Sequence, residues 1–205
     1  MAKISMKPGT MLNPVPAVMV SCSDGERDNI LTIAWTGIIN SDPPLTYVSI
    51  RKSRYSHELI SKSGCFVINI VTEDLARAAD YCGVRSGSKE DKFSKCNLTK
   101  MSAEKVTAPM IAESPVNLEC ELIEVKTYPT HDMFVAEIVR VHADEKLFDE
   151  DGRIRLDKAE LVAYNHGEYF GLKKKALGRF GFSVMKKNTK KRINREAKRK
   201  RQKKK

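Results

Sequence analysis

Six short apolar runs with the patterning of β-strands constrain the fold of this 205-residue chain more than any other feature. They span residues 15–21, 29–35, 46–51, 65–71, 116–125 and 133–144. Helical patterning is confined to two segments, 57–62 and 74–81. Many short strands with few helices are typical of barrels, so we predict a mainly β fold.

The two longest runs change phase in the same way. Apolar residues alternate as far as Leu122 and then shift to Ile123, and in the next run they alternate as far as Ile138 and then shift to Val139. Because successive side chains of a strand point to opposite faces, such a shift indicates an extra residue or a sharp bend. The paired shifts predict two neighbouring strands with β-bulges or a barrel corner.

A polar segment after the third run has the pattern of an anion-binding site. Arg51, Ser53, Arg54 and Ser56 lie close together in sequence, and we expect Ser56 to be the N-cap of a helix that begins at His57. Guanidinium groups bind phosphate oxygens in bidentate geometry, and a helix N-terminus presents unpaired N–H groups. The segment suits a phosphomonoester, although the same residue types are also typical of an ordinary polar loop before a helix.

Charge divides the chain into two parts. The net charge of +11 would by itself favour a nucleic-acid-binding protein. However, residues 186–205 hold thirteen Lys or Arg and one acid, for a net charge of +12, whereas residues 1–185 hold 24 basic and 25 acidic side chains, for a net charge of −1. We therefore predict one globular domain at 1–185 and a basic tail at 186–205.

The basic tail, residues 186–205, has no aromatic and almost no aliphatic side chains. It cannot offset its ordering entropy by burial, so we expect it to be disordered or transiently helical. Such a run attracts RNA, DNA or anionic lipid through counterion release, without reading sequence. A solvated extension with no specific role is an equally consistent interpretation.

Cysteine and histidine spacing gives no metal or disulfide signature. The five cysteines are odd in number and form no CxxC pair, and the four histidines have no ligand-like spacing, so we predict reduced thiols and no metal site. The first residues lack the apolar core of a signal peptide, and no run approaches the roughly 18 apolar residues of a membrane span. The expected location is the cytoplasm.

Five segments in a fixed order resemble the flavin reductase and flavoredoxin proteins of the FMN-binding split-barrel group. They read NILTIAWTG (29–37), SDPPL (41–45), VSIRKSRYSHELI (48–60), GCFVINI (64–70) and DYCGVRSGSKEDKF (80–93). The resemblance continues more weakly to about residue 171. It implies a split β-barrel of Greek-key type that binds FMN at a homodimer interface.

The resemblance also implies which residues contact the cofactor. Those expected beside the ribityl chain and ring are Asn29, Thr32, Ala34, Trp35 and Thr36. Those expected around the phosphate are Arg51, Ser53, Arg54, Ser56 and His57. Those expected in a loop beside the ring are Cys82, Gly83, Ser86, Gly87, Asp91 and Lys92.

Two of the loop residues have alternative interpretations. Lys92 would place positive charge near the flavin and stabilise its reduced form, or it would pair with Asp91 or Glu90 on a solvated loop. Cys82 would be redox-active or, as we favour, packed. Later in the chain, the aromatic cluster around Tyr164 and Tyr169 would cover the ring, close a dimer or simply pack.

The leading functional hypothesis is an FMN oxidoreductase, either an NAD(P)H-dependent flavin reductase or a flavoredoxin-like carrier reduced by a partner protein. Hydride would pass directly from nicotinamide to flavin, so no catalytic acid or base is assigned. No GxGxxG motif marks a dinucleotide domain, which implies that NAD(P)H binds only transiently. The alternative hypothesis is a β-barrel binding module whose tail contacts nucleic acid, with a structural or sensory flavin.

Overall fold

A computed structural model describes residues 1–173, 175–189, 191–192 and 195. The chain divides into two units, Met1–Leu172 and Lys173–Lys205. The predicted basic tail at 186–205 lies for the most part outside the described residues. The domain boundary predicted at residue 185 stays a prediction.

Short strands dominate the first unit, and six of them, β2, β3, β5, β6, β9 and β10, follow the six apolar runs closely. In chain order they are β1 Val15–Pro16, β2 Val18–Ser23, β3 Asp28–Ile33, β4 Thr36–Ser41, β5 Pro44–Arg51, β6 Cys65–Ile70, β7 Lys100–Met101, β8 Met110–Ile111, β9 Val116–Thr127, β10 His131–Ala143, β11 Val162–Asn165 and β12 Glu168–Gly171. The α-helices of this unit are α1 Tyr55–Ser63, α2 Ala76–Val84 and α3 Lys92–Lys95, and its 3-10 turns are Glu145–Leu147 and Leu156–Lys158. The mainly β prediction is confirmed.

Seven of these strands form one antiparallel sheet in the order β3-β2-β6-β9-β10-β5-β4. Its enclosed face is filled by large apolar side chains such as Phe66, Phe134 and Leu59, all fully buried. A second cluster packs Ile30 of β3 and Ala79 of α2 against neighbouring apolar residues. As a result, β3 lies between the barrel core and α2, and both flank the groove described below.

The paired phase changes correspond to real bulges between β9 and β10. Val135 pairs with Glu124 while Ala136 pairs with Leu122, so Ile123 has no partner opposite it. Ile138 pairs with Cys120 while Arg140 pairs with Glu119, so Val139 is the second extra residue. The prediction of paired bulges is therefore confirmed.

Two local predictions are wrong. Strand β4 was missed because Gly37, Asn40 and Ser41 interrupt the apolar alternation that identifies a strand. Helix α1 begins at Tyr55 with Arg54 as its N-cap residue, and no side chain caps it, so Ser56 is not the N-cap. Ser56 is the second residue of the helix and is buried.

Helices of the described residues are all too short or too polar to cross a membrane.

Candidate functional site

Two adjoining cavities form one groove along β3, β5 and the loop after α2. The larger, here called the large cleft, has a volume of about 460 Å³, and the smaller, here called the basic pocket, has a volume of about 260 Å³. Leu31, Arg51 and Arg54 line both cavities and connect them. The groove is therefore long, with chemically distinct ends.

The basic pocket concentrates positive charge. Its basic residues come from β5, from the turn before α1, from the loop after α2 and from the start of α3: Arg51, Arg54, Arg85 and Lys92. None of the described residues that line it is acidic. Ser53, Ser56 and Ser86 add hydroxyl groups. Four cations with no carboxylate nearby favour an anion with several oxygens, such as a phosphate.

Lys92 is the buried cation of the basic pocket, with only 2% of its surface exposed. Its Nζ donates to the carbonyl oxygens of Ile30 at 2.7 Å and Cys82 at 2.8 Å. Burial lowers the pKa of Lys92 below its ordinary value. The interpretation of Lys92 as an exposed lysine on a solvated loop is wrong, because the side chain turns inward beneath β3. It lies with the residues expected around the phosphate.

Asn29 has an unpaired acceptor at the basic pocket. Its Nδ2 donates to the hydroxyl of Ser56 at 2.8 Å, while its buried Oδ1 has no hydrogen-bond partner among the described residues. Buried polar atoms in folded proteins are almost always paired. An occupant of the groove that carries hydroxyl groups, as a sugar alcohol does, would supply the missing donor.

Gly87 lets the loop after α2 approach Asn29. A Cβ atom added at Gly87 would overlap the Asn29 side-chain amide. The loop can therefore close over the basic pocket only with glycine at this position.

The large cleft is lined by aromatic, aliphatic and backbone surfaces. Thr32, Ala34, Trp35 and Gly83 line it as expected. The hydroxyl of Thr32 donates to the carbonyl of Ala79, which fixes β3 against α2. Polar side chains such as Asp80 and His131 line it as well, so the cleft suits a planar ring system that carries polar atoms at its edge.

A tilted ring pair and a hairpin complete the walls of the large cleft. Trp35 packs on His131 with ring centroids 4.6 Å apart. Burial and the nearby Arg51 lower the pKa of His131, which favours its neutral form. Tyr164 and Tyr169, on the hairpin of β11 and β12, pack edge to face with centroids 5.4 Å apart. Burial and the nearby Asp80 raise the pKa of Tyr169 to about 12.

Twelve of the sixteen expected cofactor residues line the groove. The four that do not line it have other contacts. Thr36 Oγ1 donates to the Tyr47 carbonyl at 2.5 Å, and His57 Nε2 lies 2.8 Å from Asp132 Oδ2. Cys82 is fully buried, and Asp91 caps α3 by accepting from the backbone N–H groups of Phe93 and Ser94. The structure therefore does not place these four with the others.

Sequence reasoning missed several residues of the groove. Arg85 lies inside the quoted loop, and its guanidinium was the available signal. His131 carried no local signal, since it reaches the groove only because β10 pairs with β5 and sets His131 opposite Arg51. Tyr164 and Tyr169 stood out as a late aromatic cluster, and they do line the large cleft.

The match to a known protein family covers nearly the same residues as the first structural unit, Met1–Leu172. Residues 10–173 match the family model described as the flavin reductase like domain. The chain belongs to the flavin reductase like family. Members of this family are flavin-binding oxidoreductases. The similar solved structures have the split-barrel fold that the sequence predicted.

Three solved structures show how similar this family member is to its relatives. Flavoredoxin of Desulfovibrio vulgaris (Miyazaki F) is 34% identical with a TM-score of 0.83, covering 89% of this chain and 100% of its own. Flavoredoxin from Methanosarcina acetivorans is 28% identical with a TM-score of 0.81, covering 90% and 100%. An FMN-binding protein from Thermus thermophilus, bound to 1-cyclohex-2-enone, is 26% identical with a TM-score of 0.73, covering 87% and 98%.

Proposed function

We propose that this chain binds FMN along the groove and acts as an oxidoreductase of the flavin reductase or flavoredoxin type. The observation that carries the proposal is the basic pocket, which is lined by four cations and no carboxylate and opens into a cleft lined by aromatic and polar side chains. Riboflavin, which lacks the phosphate of FMN, would leave the positive charges of those four side chains uncompensated. The names of the similar structures, flavoredoxin and FMN-binding protein, support the same cofactor.

In the proposal, one end of the groove binds the phosphate and the other end binds the ring. In the proposal, Arg51, Arg54 and Lys92 hold the phosphate by charge-assisted hydrogen bonds. Asn29 Oδ1, which lacks a partner, accepts from a ribityl hydroxyl. Ala34, Trp35 and the tyrosine hairpin enclose the ring and exclude water from one side of it.

The bound flavin would supply two-electron redox chemistry, and the residues of the groove would bind and orient it. We assign no catalytic acid or base. The electron donor is proposed to be NAD(P)H or a reduced partner protein, which approaches through the large cleft. The wide mouth of that cleft, bordered by the exposed Trp35, supports direct access to the ring.

An absorption experiment tests the function. The purified chain is mixed with FMN or riboflavin, freed of unbound flavin and scanned through the visible range. We expect an FMN band that survives desalting and a riboflavin band that does not. Failure to retain FMN would overturn the proposal.

Anaerobic addition of NADH and then NADPH distinguishes the two kinds of oxidoreductase. Bleaching of the bound flavin by either nucleotide would establish a reductase half-reaction. A bound flavin that ignores both nucleotides but is bleached by a reduced protein donor would establish an electron carrier.

We further propose a homodimer in the cytoplasm. Strand β4 is an edge of the seven-stranded sheet, and it exposes the apolar side chains of Ile38 and Ile39. Exposed apolar groups on a free strand edge are typical of a surface covered by a partner. Sedimentation velocity should give the mass of two chains, and Ile38→Asp should shift the species toward one chain. A monomeric wild-type protein would contradict the homodimer.

A further inference from the structure

Two cysteine thiols are in contact close to the basic pocket. The sulfur atoms of Cys82, in α2, and Cys96, at the C-terminal end of α3, are 3.9 Å apart. Bonded sulfur atoms are about 2 Å apart, so a disulfide needs an approach of only about 2 Å. The other three cysteines contact oxygen atoms instead: Cys22 the Asn29 carbonyl, Cys65 the Thr107 hydroxyl and Cys120 the Leu118 carbonyl.

Both cysteines are bonded to Lys92, the buried cation of the basic pocket. Lys92 Nζ donates to the Cys82 carbonyl at 2.8 Å, and the Lys92 carbonyl accepts from the Cys96 N–H at 3.1 Å. Residues 83–95 lie between the two cysteines, and residues 85–87 among them line the same pocket. A bond between the two sulfur atoms would therefore close one wall of the basic pocket into a covalent ring.

Cys96 is reached from a third cavity, which shares no lining residue with the groove in the part of the chain that the structure describes. This cavity has a volume of about 480 Å³, and its apolar lining includes Leu75, Leu98 and Leu147. Cys96 lines it and is half-buried, whereas Cys82 is fully buried. A small reagent in the third cavity would meet Cys96 first, without passing the flavin.

Burial keeps both thiols protonated at neutral pH. It raises the pKa of Cys82 to about 12 and raises the pKa of Cys96 above its ordinary value. The thiolate is the attacking form of cysteine, so exchange with another disulfide is slow and the pair persists as two thiols. Cys96, the less buried of the two, is the thiol that attacks first.

We propose that Cys82 and Cys96 are a redox-active pair whose oxidant is a low-molecular-weight disulfide. The Cys96 thiolate attacks one sulfur of that disulfide, which breaks the sulfur–sulfur bond and releases the first small thiol. Cys82 then attacks the Cys96 sulfur of the mixed disulfide and releases the second. The protein loses two electrons and two protons, and the two small thiols carry them away. In reducing compartments, protein disulfides are mostly transient bonds of this kind.

The bond would hold the loop after α2 against the basic pocket. In the reduced protein, hydrogen bonds such as that from the Tyr81 hydroxyl to Glu90 at 2.8 Å tie the two ends of this loop. Covalent closure removes open conformations, because a cross-link restricts the states available to the chain between its ends. FMN in the groove should then leave more slowly. This consequence, unlike the bond itself, rests on the proposed function.

Intact mass tests the bond. The reduced full chain is freed of reductant, incubated with bis(2-hydroxyethyl) disulfide and analysed under acidic denaturing conditions. We expect a product about 2 Da lighter than the reduced chain, from the loss of two hydrogen atoms, with Cys82 and Cys96 joined in the proteolytic digest. A chain that keeps all five thiols, or that joins another pair, would overturn the proposal.

Single variants identify the order of attack. Cys82→Ser should accumulate the mixed disulfide on Cys96, because the second step has lost its nucleophile, whereas Cys96→Ser should gain no adduct at Cys82. The matched control is Cys65→Ser, which removes a thiol in contact with Thr107 and should form the Cys82–Cys96 bond as wild type does. An adduct that accumulates on Cys82 of the Cys96→Ser variant would contradict the assigned order.

Release of FMN tests the effect on the loop. We expect the oxidised chain to release bound FMN at least about threefold more slowly than the reduced chain, and dithiothreitol to restore the faster rate. Cys96→Ser should release FMN at one rate with or without the disulfide reagent. Equal rates for the oxidised and reduced wild type would overturn the effect on the loop.

Failure of the proposed function gives a different result. If neither form retains FMN, the flavin proposal fails, while the intact mass still decides whether the cysteine pair forms its bond. The midpoint of thermal unfolding then decides whether the loop is held, since it should rise on oxidation of wild type and stay constant for Cys96→Ser. An unchanged midpoint in the oxidised wild type would contradict that role.

Discussion

The two ends of the groove differ in what they are built from. The basic pocket has four cationic side chains, three serines and no carboxylate around a volume of about 260 Å³. The large cleft, at about 460 Å³, shares Arg51 and Arg54 with it but adds the aromatic side chains of Trp35, Tyr164 and Tyr169 and the carboxylate of Asp80. Charge-assisted bonds are strong and directional, whereas aromatic side chains contact many planar groups with less specificity. We infer that the small end sets affinity and the large end sets access to the reacting ring.

Removing two guanidinium groups from the small end should have the largest effect. Arg51→Ala/Arg54→Ala is expected to weaken FMN binding roughly 100-fold or more, because several charge-assisted bonds to phosphate are lost together. Riboflavin binding should change little. Isothermal titration with both flavins measures the difference, and Arg140→Ala, an exposed arginine paired with Glu104 outside the groove, is the control. An equal loss of affinity for FMN and for riboflavin would show that the phosphate binds elsewhere.

The pH dependence of FMN binding should follow Lys92. Burial lowers the pKa of Lys92, so its charged form is present below that pKa and is lost at a lower pH than for an ordinary lysine. We expect FMN affinity to fall as pH rises through the lowered pKa of Lys92, while riboflavin affinity shows no such step. Titrations of wild type and Lys92→Met check this, since the variant should lack the step. A step retained by the variant would exclude Lys92 as its source.

A pair of glycine substitutions compares the two ends sterically. At Gly87 an added Cβ would overlap the Asn29 amide, so Gly87→Ala should displace Asn29 and weaken FMN binding about tenfold, the equivalent of one hydrogen bond to the ligand. At Gly83 an added Cβ would lie 3.3 Å from Thr32 Cβ, which a small shift accommodates, so Gly83→Ala should have a smaller effect. Fluorescence titration with FMN ranks the two variants, and the reverse order would contradict the assignment.

The smallest effect on affinity is expected from the pair of Trp35 and His131 in the large cleft. Trp35→Ala removes the contact with His131 and should weaken FMN binding about two- to threefold, the lower end of the roughly 0.5–1.5 kcal/mol that an aromatic pair contributes. The rate of flavin reduction should change more than the affinity does. Stopped-flow reduction and equilibrium titration of the same variant give both quantities. A loss of FMN affinity as large as that of Arg51→Ala/Arg54→Ala would contradict the inference that the basic pocket sets the affinity.

Local sequence patterns predicted much of the barrel, because each reports on neighbouring positions of the chain. Alternation located β2, β3, β5, β6, β9 and β10, and the phase changes at Ile123 and Val139 located both bulges. The sequence did not predict strand β4, because its glycine and polar residues do not alternate with apolar ones. Ser56 was misassigned for a related reason, since N-cap residue types are also found buried inside a helix when a partner such as Asn29 is present.

The sequence predicted some residues of the candidate site correctly and others not. Residues within the quoted segments, such as Asn29, Arg54 and Gly87, do line the groove. The four expected residues outside it, including His57 and Asp91, have side chains engaged by neighbours that the sequence does not identify. His131 and Tyr169 entered the groove from distant strands.

The sequence by itself determined the alternation of the strands, the position of the bulges and the separation of a nearly neutral or acidic body from a strongly basic end. These properties depend on residue types at fixed spacing along one chain. Only the tertiary structure decided that Lys92 is buried beneath β3, that Asn29 Oδ1 lacks a partner and that His131 stands opposite Arg51. Such facts depend on which distant segments meet, and strand pairing is fixed by the packing of the whole core rather than by local pattern.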